Sequence, residues 1–141
     1  MAGFQETLLI RSTPTLITTA ITGDVADGPY AFEVGRVSSL TIEAIFTYGS
    51  GGTSCTAYVQ TSLDGGSTWI DIYAFQATTA SMSRVVNLTS AAVTTPATPT
   101  DGSLTANTVV NGILGALYRV KVTTVGTYGG STSLRVWATA K

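Results

Sequence analysis

The sequence predicts an all-β protein, a β-sandwich or jelly-roll-like single domain spanning residues 1–141. Three observations carry this expectation. Apolar residues recur with a period of two along the apolar runs, the spacing that places alternate side chains on opposite faces of a strand. The same runs are rich in β-branched and aromatic residues, and none forms a helical stripe. Clusters of Gly, Ser, Asp and Pro separate them.

Taken in order, Thr7 to Ile10 and Thr15 to Ile21 are two strand candidates either side of Pro14. Pro14 lacks the amide proton a ladder needs, so this region is an edge strand or a break between strands. Ser38 to Tyr48 (SSLTIEAIFTY) puts Leu40, Ile42, Ala44, Phe46 and Tyr48 on one face and Thr41, Glu43, Ile45 and Thr47 on the other. Cys55 to Thr61 aligns Cys55, Ala57 and Val59, and Trp69 to Phe75 (WIDIYAF) is aromatic and β-branched. Arg84 to Leu88 is a shorter candidate. Leu117 to Val125 turns Tyr118, Val120 and Val122 inward, with Arg119, Lys121 and Thr123 outside. Ser133 to Ala138 closes the series, alternating Leu134, Val136 and Ala138 with Arg135 and Trp137.

Two connectors are alike: TYGSGGTS (Thr47 to Ser54) and TYGGSTS (Thr127 to Ser133). Gly adopts the positive φ of tight turns without penalty, so both are read as hairpin turns with shared chemistry. The segment 90–112 differs: it is nearly uncharged, contains Pro96 and Pro99, and has an apolar end in Val109 and Val110, continued by Ile113 and Leu114. A loop of about 20 residues is uncommon in a compact domain and tends to be functional. It is expected to be an extended arm lying across a neighbouring subunit, anchored at its apolar end, with a mobile loop as the alternative.

Composition narrows the function. With 44% apolar residues in 141, a real core is available, and a chain of this length buries roughly two-thirds of its unfolded surface. Charged residues are only 11%, so few charges need desolvating when a surface pairs with a neighbour. A net charge of −1, with seven Lys plus Arg scattered along the chain, supplies no basic patch for nucleic acid. No apolar stretch approaches the ~20 residues that span a bilayer. The start, Met1-Ala2-Gly3-Phe4-Gln5-Glu6, has neither the basic nor the apolar region of a signal peptide, so synthesis in a cytoplasm is expected. The single Cys55 has no internal disulfide partner.

Catalysis is not expected, and no cofactor or metal is implied. The chain has no His, the commonest general base. Cys55 lacks a His or cationic neighbour in sequence to activate it. The glycine-rich runs join strand to strand, whereas phosphate cradles need a helix N-terminus. Asp24 and Asp27, in TGDVADGPY, are candidate calcium ligands, but their spacing is not that of an EF-hand loop, and Asp with Gly commonly makes turns. Glu33, Glu43 and Asp71 are raw material for a paired-carboxylate glycosidase, yet isolated strand carboxylates are ordinarily solvent-facing.

The most specific local pattern is Ser62-Leu63-Asp64-Gly65-Gly66-Ser67-Thr68-Trp69. It resembles the Asp-box of sialidases and other β-propellers, Ser-x-Asp-x-Gly-x-Thr-Trp. That resemblance implies a structural hairpin between Cys55 and Phe75, in which Asp64 accepts turn amide protons, Gly66 shapes the turn and Trp69 anchors it.

Two longer segments, YVQTSLDGGSTWIDIYAF and LYRVKVTTVGTYGGSTSLRVWATAK, together cover about a third of the chain. They resemble a strand-turn-strand unit and a closing hairpin of tailed-bacteriophage virion proteins. Among these, a one-domain β-protein of this size is most similar to a capsid decoration (cement) protein. The resemblance implies a structural protein on the capsid exterior of a virion, bound to the major capsid protein and assembled as a dimer or trimer. The alternative is a carbohydrate- or receptor-binding module of a phage tail or fibre, with Trp137, Tyr58 and Tyr73 as a stacking platform.

Overall fold

In a computed structural model that describes residues 6–17, 25–92 and 96–141, the chain is all β. The strands among these residues are β1 (Glu6–Leu16), β2 (Val25–Ala31), β3 (Ser39–Thr47), β4 (Ser50–Gly51), β5 (Ser54–Ser62), β6 (Ile70–Ala77), β7 (Met82–Thr89), β8 (Leu117–Val125), β9 (Tyr128–Gly129) and β10 (Ser133–Ala140). They form two four-stranded antiparallel sheets, β1-β10-β3-β7 and β2-β8-β5-β6, and a two-stranded clip, β4-β9.

The period of two becomes one shared core. Leu40, Ile42, Ala44 and Phe46 of β3 and Leu134, Val136 and Ala138 of β10 belong to the same buried cluster as residues of the other sheet. Those are Cys55, Ala57 and Val59 of β5, Tyr73, Phe75 and Ala77 of β6, and Tyr118, Val120 and Val122 of β8. The intervening residues leave the core, so β10 alternates strictly between buried and half-buried positions.

The pairing follows one long antiparallel ribbon. β1 pairs with β10, β2 with β8, β3 with β7 and β5 with β6. The ribbon's tip is the turn between β5 and β6. Rolling it up adds the pairs β10–β3 and β8–β5. Consequently every connection between successive long strands, except β5 to β6, passes from one sheet to the other.

This topology corrects the reading of the two similar connectors. Neither is a hairpin turn, because β3 and β5 lie in different sheets, as do β8 and β10. The expected closing hairpin is therefore a crossover too. The connectors instead pair with each other, Ser50 opposite Gly129 and Gly51 opposite Tyr128. Their glycines allow close approach: a Cβ on Gly49 would run into the backbone of Gly130. Tyr128 packs edge-on against Phe46 and Tyr48, with ring centroids 5.5 and 6.2 Å away.

Two further differences lie at sheet edges. The Thr7–Ile10 and Thr15–Ile21 candidates are one edge strand, β1, whose register slips between Ile10 and Thr15 around Pro14. The end of the second candidate, residues 18–21, lies outside the described residues. The TGDVADGPY turn contributes Val25–Ala31 to an edge strand, β2. Its register slips between Asp27 and Tyr30, where the Gly28–Pro29 bond is cis. An edge strand tolerates Pro and Gly at such a bulge, which a turn-based reading overlooks.

Candidate functional site

The most organised polar structure lies where the ribbon's tip meets the segment after β7. The expected arm over a neighbour lies along this chain's own β6. Backbone bonds join Asp71 N to Thr100 O (2.8 Å), Ala74 N to Thr108 O (3.1 Å), Asn107 N to Ala74 O (2.6 Å) and Val110 N to Ile72 O (2.9 Å). Tyr73 and Val109 form a β-bridge. The physical reason is the sheet edge: β6 presents unpaired ladder groups, and the strap satisfies them locally. Residues 93–95 lie outside the described residues.

A β-bulge aims the strap's anchor. β6 pairs Tyr73 with Val59 but Asp71 with Gln60, so Ile72 is an extra residue between two partners. Strict alternation would place Asp71 on the core face with Tyr73 and Phe75. The bulge instead sets it beside Gln60. Asp71 is 1% exposed, which corrects the expectation that it faces solvent. Its carboxylate accepts from Gln60 Nε2 (2.7 Å), Thr100 Oγ1 (2.8 Å), Gly102 N (2.8 Å), Ser103 N (3.0 Å) and Leu104 N (3.1 Å). Consecutive amides converging on one carboxylate form an anion nest supplied by the chain itself. A carboxylate has about four lone-pair sites, and donors from this chain fill them.

The network continues across the sheet. Gln60 Nε2 also donates to Asp101 Oδ1 (2.7 Å), and Gln60 Oε1 accepts from Arg119 Nε (2.6 Å). Lys121 Nζ lies 2.9 Å from Asp101 Oδ1, and an Arg119 terminal nitrogen lies 3.4 Å from it. Burial pushes the Asp101 carboxyl up, but hydrogen bonds from Lys121 and Gln60, with the charges of Lys121 and Arg119, outweigh it and hold the group below the usual carboxylate range. The Arg119 guanidinium sits 4.5 Å from the Trp69 ring centroid. Lys121, expected outside, is 9% exposed beneath the strap.

The Asp-box-like turn adjoins this network. Asp64 accepts from the Thr68 amide (2.8 Å), the Thr68 hydroxyl (2.6 Å) and the Ser62 hydroxyl (2.9 Å). The Thr68 hydroxyl, then its amide and the Ser62 hydroxyl, pull the carboxyl down to about 2. Gly66 adopts φ 97°, and a Cβ there would touch Leu117 and Trp69. Trp69 is half-buried between this turn and Arg119.

The remaining candidates are dispersed. Glu33 and Glu43 are exposed, on a loop and on β3. Asp27 accepts the Tyr30 hydroxyl (2.6 Å), and Asp24 lies outside the described residues. Among the described residues, no group of three or more His, Cys, Asp or Glu could hold a metal ion. Tyr73 is 2% exposed, which removes it from any stacking platform, and burial raises its phenol above the ordinary value. Tyr58 and Trp137 are half-buried. Trp137 lines a shallow groove with Thr41, Glu43, Val85 and Thr139 on the other sheet's outer face. Arg135 lies 5.6 Å from its ring centroid.

No family model, curated protein or solved structure matches the chain.

Proposed function

We propose that this protein is a structural virion component, a cement protein that binds and stabilises the outer surface of a tailed-phage capsid. The observation that carries the reading is the uneven treatment of the two outer faces. The β2-β8-β5-β6 sheet spends its polar side chains on an internal strap, while the β1-β10-β3-β7 sheet leaves Thr41, Glu43 and Val85 exposed beside the half-buried Trp137. An extended, weakly charged surface suits repeated modest contacts with a rigid lattice, whose sum becomes large. The rolled ribbon supports a jelly roll: numbering the eight long strands in chain order gives sheets 1-8-3-6 and 2-7-4-5. That architecture recurs in capsid domains. The partner in this reading is the major capsid protein, and the location is the capsid exterior, after synthesis in the host cytoplasm.

Co-sedimentation with expanded heads lacking the protein tests it. Saturable binding at a fixed ratio to the shell subunit is the expected result, and no binding overturns the reading. A second reading, a glycan-binding module of a tail or fibre, is favoured by the Trp137 groove. There Trp137 and Val85 line the groove beside the exposed Glu43 carboxylate, the apolar and polar pair that a sugar ring requires. Glycan-dependent quenching of Trp fluorescence that disappears in Trp137→Ala would promote it over the first.

A further inference from the structure

Two four-stranded sheets have four edges, and among the described residues three of these are paired or interrupted. β1 carries Pro14 within its register slip. β2 carries Gly28 and Pro29 within its own. β6 is paired to the strap through Ala74, Ile72 and the Tyr73–Val109 bridge. These are the means by which β-proteins blunt edges against unwanted pairing. Among the described residues, β7 has none of them. Its sequence, MSRVVNLT, has no Pro or Gly, and its register with β3 runs unbroken from Ser39–Thr89 to Phe46–Met82.

The hydrogen bonds around β7 show which backbone groups face outward. The Thr89 amide donates away from β3, to Asn111 Oδ1 (2.8 Å), while the Ser90 amide donates to Ser38 O (2.9 Å). Antiparallel ladders alternate, so Ser83, Val85 and Asn87 share the outward phase of Thr89. Accordingly, the Ser83 carbonyl accepts from the Arg84 guanidinium (2.8 Å), not from a strand. The three side chains of this phase are exposed, Val85 at 63%.

We propose that β7 pairs with β7 of a second copy of this chain, antiparallel and with the two-fold axis at Val85. Paired residues must share the outward phase, and this register satisfies that requirement throughout. Val85 then faces the partner's Val85, and Ser83 faces the partner's Asn87. Apolar meets apolar and polar meets polar. Arg84 falls opposite the partner's Val86, so like charges do not oppose each other directly, and β7 contains no acidic residue. The two β1-β10-β3-β7 sheets become one eight-stranded sheet, and Val85 extends the cross-strand row Trp137–Glu43–Val85 into its symmetry mate. The inference stands independently of the capsid reading, since backbone pairing needs no lattice.

The test is sedimentation velocity of the full chain over a concentration series, with Val85→Lys and the distant exposed control Val125→Lys. A ladder of this length buries less than a standard interface, so a concentration-dependent monomer–dimer equilibrium is expected. Val85→Lys should weaken it tenfold or more without altering the melting temperature at dilution, and Val125→Lys should leave it unchanged. Val85→Cys should give a covalent dimer under mild oxidation, since paired Cα atoms across a ladder lie within disulfide reach and Cys55 is buried. A chain monomeric at every concentration, or a dimer indifferent to Val85→Lys, overturns the proposal. So does a monomer whose binding to shells is lost on Val85→Lys, which would assign the edge to the shell subunit.

Discussion

The two sheets share one core and one alternating pattern, yet their outer faces have opposite fates. On β5, β6 and β8 the outward residues Gln60, Asp71, Arg119 and Lys121 are drawn into a network closed by Thr100 to Leu104. On β3, β7 and β10 the outward residues Thr41, Glu43 and Val85 are exposed, and Trp137 and Thr139 are half-buried. Alternation decides which side chains leave the core. Whether they then meet water depends on where the rest of the chain is laid. Here the chain pairs its own strap to the edge of β6, while among the described residues the edge of β7 is not covered in this way.

The largest effect should come from removing the strap's anchor. Asp71→Ala deletes the acceptor for three strap amides, the Thr100 hydroxyl and Gln60. Each buried donor left unpaired costs about 1–3 kcal/mol, and partial loosening of the strap reduces the sum, so a loss of about 3 kcal/mol is expected. Chemical denaturation measures it. Limited proteolysis should place new cleavage between residues 96 and 116. Freed of its strap, β6 becomes a second open edge, and the variant should self-associate more than the parent. Unchanged stability and protease resistance would dissolve the contrast between the sheets.

A smaller effect separates the two tryptophans. Trp69 sits beneath Arg119 at 4.5 Å within the strapped network, and Trp137 lies 5.6 Å from Arg135 on the open face. Cation–π contacts range from about 0.5–1 kcal/mol when exposed to about 2 kcal/mol when desolvated. Trp69→Ala should therefore cost about 2 kcal/mol, and Trp137→Ala about 0.5 kcal/mol. Thermal melts of the two single variants check the order. Equal losses would mean that the open face is as tightly organised as the strapped one.

How much of this was legible in the sequence varies with the range of the interactions. The strands β3, β5, β8 and β10 followed from alternation, because half-buried strands write their period into the chain. Sheet membership did not: the Gly-rich connectors look like turns whether they return to the same sheet or cross to the other. β2 was hidden because its Gly and Pro are tolerated only at an edge bulge, and edge position is a property of the assembled sheet. The turn from Ser62 to Trp69 was legible because its contacts are local, Asp64 reaching no farther along the chain than Ser62 and Thr68. The Asp71 network was not, because its partners lie 11 to 33 positions away. One signal was present: in WIDIYAF the only charge falls in phase with Tyr73 and Phe75, and a charge on the core phase marks a bulge.

The smallest effect is pH dependence, and it too divides the molecule. Asp64 is held down to about 2 from an ordinary 3.8, and Asp101 is also held low. A carboxyl held low in the folded chain takes up its proton later than in the unfolded chain. It therefore favours the folded form above the unfolded value and ceases to do so as pH falls through the folded value. For Asp64 that window runs from about 4 down to about 2, and Asp101 loosens in the same direction. Both groups belong to the ribbon's tip and the strap. Amide hydrogen exchange between pH 4 and 2, corrected for intrinsic rates, should show protection lost first at Thr68, whose amide donates to Asp64. The β3–β10 ladder should hold longer, since the bonds of Asp64 and Asp101 do not reach it. Simultaneous loss across both sheets would show that strap and core unfold as one unit, and would make the latch a feature of global stability.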